Sequence, residues 1–107
     1  MPWIVEVLDK VVLAELEALP ADMLARFRWI TELIQTHGLE RVREPHVKHL
    51  DGVLWEIRMS GRAGISRAIY VTATGKRVVV VRVFVKKTRK TPDSELRLAR
   101  ERAKEVK

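Results

Sequence analysis

Val78-Val79-Val80-Val81-Arg82-Val83-Phe84-Val85-Lys86-Lys87-Thr88-Arg89-Lys90-Thr91 opens as an almost unbroken β-branched run and closes in a cluster of cations. Val78 to Val85 has the length and composition of a strand buried on both faces, the mark of a central strand; a strand wet on one side would alternate. Arg82 is the one charge inside it. Lys86, Lys87, Arg89 and Lys90 then leave its end together. Thr91-Pro92 is expected to stop the extended segment and open a helix, with Thr91 as N-cap and Pro92 at the first helical position. A rigid strand that delivers cations to one sheet edge is suited to holding a polyanion.

Upstream, Thr74-Gly75-Lys76 reads as a turn and Ile65 to Ala73 as the preceding strand, carrying Arg67 and Tyr70. Ser60 to Gly64 is a second turn. Val53 to Met59 alternates, with Trp55 and Ile57 on one face and Glu56 and Arg58 on the other. Val53 to Val85 is therefore expected as a three-strand antiparallel meander. Val47 to Leu50 is a short extended piece before the Asp51-Gly52 turn, and Leu39 to Pro45 a connection. Towards the N-terminus, Trp3 to Leu8 reads as a first strand and Lys10 to Leu19 as a helix ended by Pro20. Ala21 to His37 forms a second helix on the spacing of Met23, Phe27, Ile30 and Ile34, with Gly38 as its stop. Downstream, Leu96, Ala99, Ala103 and Val106 share one face of a last helix from Pro92 to about Val106.

These elements predict an α+β fold: a small twisted, mainly antiparallel sheet with an N-terminal helical hairpin and a C-terminal helix, the helices on one face and the other face partly open. The 107 residues form one domain, 1–107. With no cysteine, disulfides and Cys-based zinc sites are excluded. His46 and His49 are spaced i,i+3 without a carboxylate or thiolate in a ligand pattern, so neither a metal nor another cofactor is expected. No run approaches the ~20 apolar residues of a membrane span and no signal peptide is legible, so the expected location is cytoplasmic. The net charge of +7 is unevenly placed. Residues 1–40 carry three Lys/Arg against seven Asp/Glu, net −4, and residues 41–107 carry eighteen against seven, net +11. A surplus gathered around strand ends points to nucleic acid, with the acidic part facing away.

Val47-Lys48-His49-Leu50, Leu54-Trp55-Glu56-Ile57-Arg58, Ser66-Arg67-Ala68-Ile69-Tyr70 and Phe84-Val85-Lys86-Lys87-Thr88-Arg89-Lys90-Thr91-Pro92 with Glu95 together resemble the phage-derived Gp49-like proteins, HigB-type toxins of the RelE/ParE superfamily. The resemblance implies a RelE-like fold and the toxin of a type II toxin–antitoxin pair, with a helix-turn-helix antitoxin, mRNA and the ribosome as partners. It also implies a ribosome-dependent endoribonuclease that inhibits translation without a metal. One feature departs from the pattern: ribosome-dependent members carry a late Tyr or His that takes part in catalysis. Here Leu96 and Leu98 occupy that neighbourhood, and no His or Tyr follows Tyr70.

Metal-free RNA cleavage uses the RNA 2′-hydroxyl as nucleophile, so a protein must move two protons and neutralise the phosphorane. Arg67 and Arg58, planar donors on rigid strands, are the candidates for the phosphorane, with a salt bridge to Glu56 as the structural alternative. Lys86 and Lys87 leave the strand on opposite faces, so one of the two points into the site. Lys48 and His49 are candidates for contact with RNA or for proton transfer, His46 a weaker one. Tyr70 either stacks on a base or packs in the core. Arg82, Arg89 and Lys90 are assigned to the RNA backbone. Two other functions fit the same residues: a non-catalytic basic module that occupies the ribosome or another nucleic-acid site, and a ParE-like gyrase inhibitor.

Overall fold

The computed structural model describes residues 2–87 and 90–107. The elements run β1 (Ile4–Val7), α1 (Lys10–Glu17), α2 (Ala21–His37), a 3₁₀ turn (Leu39–Arg41), β2 (Val47–Asp51), β3 (Leu54–Gly61), β4 (Gly64–Ala73), β5 (Arg77–Lys86) and α3 (Asp93–Ala103). They build one five-stranded sheet in the order β1-β5-β4-β3-β2. β2 to β5 pair antiparallel, and β1 joins parallel to β5, Ile4 opposite Arg77 and Val7 opposite Val80. The antiparallel meander thus has four strands rather than three, because Val47–Asp51 pairs with β3, with an irregularity between His49 and Asp51.

β5 is an interior strand, as its valines require. Val78 to Val81 and Val83 are at most 3% exposed. Each buried valine contributes roughly 1.5–3 kcal/mol relative to an exposed one. Val12 and Leu16 of α1 and Met23, Phe27, Ile30 and Ile34 of α2 pack with Ile57, Met59, Ala68, Tyr70, Val78, Val80 and Val83 on one face. A second core on the other face joins Leu54, Ile69, Val71, Val79 and Val81 to Ala99 of α3, with Leu96 and Ala103 against it. The expectation that all helices share one face is therefore corrected. The last helix covers the opposite face, since the alternating side chains of β5 are apolar on both sides and each needs a cover.

A β-bulge in β5 sets the site. Ile69 lies opposite Arg82 but Tyr70 lies opposite Val80, so Val81 is an extra residue in β5. Val81 joins the α3-side core and Val83 the α1/α2-side core. The bulge thereby reverses the phase of alternation and sends Arg82, Phe84 and Lys86 to the α3 face, the re-aiming that bulges perform.

Local chemistry explains the helix ends. Asp9 caps α1, its Oδ1 accepting the Val12 N–H at 3.0 Å. Gly38, at φ 93°, ends α2 while its N–H still donates to the Ile34 carbonyl. At α3 the expected cap is not used. Pro92 occupies the N-cap position, and the helix starts at Asp93. The Thr91 hydroxyl instead accepts a hydrogen bond from Arg67 Nη1 at 3.1 Å, because a buried guanidinium competes for it.

Candidate nucleic-acid interface

α3 covers only one half of its sheet face. On the open half, register and alternation gather Lys48 of β2, Glu56 and Arg58 of β3, Arg67 of β4 and Lys86 of β5. Lys48 lies opposite Glu56, Arg58 opposite Arg67, and Lys86 closes the row opposite Ile65. Glu56 is the hub. It is fully buried and accepts both of its close hydrogen bonds from Arg67 Nη1, while Arg58 Nε lies 3.7 Å from its Oε2. Four cations around one carboxylate leave a surplus of positive charge.

Arg67 is held rigidly. It is 5% exposed, and Nη1 also reaches Thr91 Oγ1. Its Nε–H has no acceptor among the described residues. A buried donor without a partner costs free energy, so this N–H lacks an acceptor that its environment would favour. Burial pulls the Arg67 guanidinium below its ordinary value, and the Glu56 carboxylate opposes that pull. Burial, then the neighbouring charges of Arg67 and Arg58, likewise hold the Lys86 ammonium below the usual lysine range. The arrangement can therefore grip a phosphate and move a proton near it.

The family described as phage derived protein Gp49-like matches residues 14–104. The chain belongs to the Gp49-like family. No curated protein matches this Gp49-like chain. Solved structures share its fold, among them the following two. The archaeal RelE–RelB complex from Pyrococcus horikoshii OT3 is matched at 24% identity and TM-score 0.57 over 81% of this chain and 98% of that one. An arginine double mutant of the E. coli toxin RelE in the free state is matched at 19% identity and TM-score 0.62 over all of both chains. At these identities the likeness establishes the fold, that of RelE.

The remaining sequence candidates of this Gp49-like protein lie elsewhere. His49 is on the α1/α2 face, its Nε2 2.8 Å from the Gly52 carbonyl oxygen and its ring edge-on to Trp55 at 4.9 Å. Its neighbour Lys48 took the α3 face, and strand alternation forbids both. Tyr70 is 1% exposed in the α1/α2-side core, where burial pushes its phenol well above the ordinary range. Core packing is thus its role in the fold. Arg82 sits on the α3 face but is consumed by ion pairs with Glu95 at 2.7 Å and Glu15 at 2.9 Å. Lys87 and Lys90 are exposed beyond the end of β5, and Arg89 lies outside the described residues. The salt bridge to Glu56 weighed for Arg67 and Arg58 is formed by both, and only its place as the buried centre of the cluster was not foreseen. The signal was available: a carboxylate in β3 flanked by two candidate arginines. Among the described residues no helix is long and apolar enough to cross a membrane.

Proposed function

We propose that this Gp49-like protein is the toxin of a type II toxin–antitoxin pair and that it cleaves mRNA on the ribosome without a metal. The observation that supports this most is the buried Arg67, clamped by Glu56 and Thr91 with its Nε–H unpartnered, beside a lysine whose ammonium is weakened. In the proposed reaction the RNA 2′-oxygen attacks the adjacent phosphorus while Lys86, as the base, removes its proton. The bond from phosphorus to the 5′-oxygen breaks, and the Lys48 ammonium supplies the proton to the leaving oxygen. The products are a 2′,3′-cyclic phosphate and a 5′-hydroxyl. Arg67 and Arg58 meet the charge that builds on the phosphorane oxygens, where fixed donors act most strongly. Neutralisation in the cell is assigned to a small helix-turn-helix antitoxin encoded beside the protein. The archaeal RelE neighbour was solved with RelB, which supports a protein antitoxin as partner.

Primer extension on a reporter mRNA in a translating extract tests the reading. Codon-phased cuts that vanish without ribosomes are expected, and Arg67→Ala should lower cleavage by about 10²–10³-fold. The missing late Tyr or His favours one alternative, occupancy of the ribosome without cleavage. Arrested translation with intact mRNA would establish that alternative, and intact mRNA with normal translation would overturn both in favour of gyrase assays.

A further inference from the structure

A second basic feature adjoins the cluster, and apart from Arg58 its residues are used by none of the steps above. Between α2 and the end of β3 lies a groove of about 390 Å³ lined by Arg26, Pro45, His46, Arg58, Ser60 and Ile65. It forms because β2 stops short. The His46 carbonyl accepts the Arg58 N–H, and past that bond β3 runs on to Gly61 paired with β4 alone, its other edge without a strand among the described residues. Arg58 belongs to both features, so the groove continues the cationic cluster around the sheet edge towards α2.

An indole stands against two of the residues that line the groove. Trp29 lies off the buried stripe of α2 and is 43% exposed. The His46 ring meets it edge-on at 5.1 Å, and the Arg26 guanidinium lies over it at 5.2 Å from the ring centre. Of the two arginines in the groove, Arg58 lies 3.7 Å from Glu56. Arg77, Arg82, Arg100, Arg102 and Lys104 each pair with a carboxylate. Among the described residues Arg26 has none, and no Asp or Glu lines the groove.

We infer that this groove is a second nucleotide subsite, in which Arg26 and Arg58 hold the phosphate next to the one in the cluster and a base stacks against Arg26 and Trp29. The ligand class is single-stranded RNA, and the inference rests on the proposed function. A base on the Arg26 guanidinium completes a layered stack with the indole beneath, a sequence-tolerant arrangement suited to bases splayed out of a helix. Phosphates in an extended strand are spaced by one nucleotide, so the subsite lengthens the footprint and fixes the strand on both sides of the scissile bond.

The test is fluorescence anisotropy with a labelled hexaribonucleotide whose 2′-hydroxyls are methylated, which blocks cleavage, beside a dinucleotide of the same chemistry. Trp29→Ala and Arg26→Ala should each weaken the hexamer by about tenfold and leave the dinucleotide unchanged. Trp29→Phe should retain most of the affinity, and Arg67→Ala should weaken both probes. In ¹H–¹⁵N spectra, assigned with Trp29→Phe, the Trp29 indole signal should shift on adding the hexamer while that of Trp3 stays. Hexamer binding that Arg67→Ala weakens and Trp29→Ala and Arg26→Ala do not would overturn the subsite and leave the proposed function standing. Failure of the wild-type protein to bind either probe would overturn the subsite, while the proposed function is decided by the primer extension.

Discussion

Glu56 has no exposed side chain, and Arg67 beside it is almost as deeply buried. Neither charge would be stable there alone, since each loses its water and only the other replaces it. Removing one member of such a pair leaves an uncompensated buried charge, whereas replacing both with apolar groups can be close to neutral. Glu56→Ala is therefore expected to destabilise the fold by about 3–5 kcal/mol in urea unfolding. Glu56→Gln, which keeps acceptor and shape, should cost less. The double change Glu56→Gln with Arg67→Met should recover part of the loss while remaining inactive in mRNA cleavage. If the single change to alanine left stability untouched, Glu56 would not be the anchor of the cluster.

The β3–β4 turn depends on α2 as well as on its own sequence. Asp22, in the first turn of α2, accepts the Arg62 backbone N–H at 2.7 Å and the Met23 N–H at 2.9 Å. A Cβ at Gly61 would come within 2.7 Å of that carboxylate, so the glycine is needed for close approach rather than for an unusual φ. The hydrogen bond from Arg62 is the main reason the Asp22 pKa falls below its ordinary 3.8. A carboxylate whose folded pKa is depressed contributes stability that is fully present above its unfolded value and is lost as pH falls through the folded one. Stability tied to this turn should thus be complete above pH 3.8 and decline below it. Asp22→Asn should flatten that part of the acid-unfolding curve, read by circular dichroism between neutral pH and pH 2. An unchanged curve would show that the turn is held by its strands alone.

Across the molecule, charge and layers are arranged together. The acidic N-terminal part builds β1 and the two helices on one face, and the cationic cluster lies on the other. Its grip on RNA should weaken steeply with salt, because each phosphate neutralised releases counterions. Arg58, shared by cluster and groove, is expected to be one such contact. Arg58→Ala should reduce the slope of log affinity against log salt by roughly 0.7, the value for one contact to a single strand. A slope equal to that of the wild type would remove Arg58 from the interface.

Much of this protein could be read from residues in order. The helices followed from apolar spacing, with α2 bounded by Pro20 and Gly38, and the strands from β-branched runs separated by glycine turns, since these signals act over neighbouring positions. Arg58, Arg67 and Lys48 could be proposed for the same reason: each sits at a fixed phase of an alternating strand. What sequence could not supply were the long-range decisions. The parallel pairing of β1 with β5 and the placement of α3 across the sheet depend on which apolar faces find cover. The withdrawal of Arg82 into ion pairs depends on Glu15, 67 residues away, as well as on Glu95. Above all, the bulge at Val81 reversed the phase of β5 and turned Lys86 towards Arg67. A run of valines carries no mark of where its register slips, because every position in it is equally apolar; only packing on both faces chose the residue left unpaired.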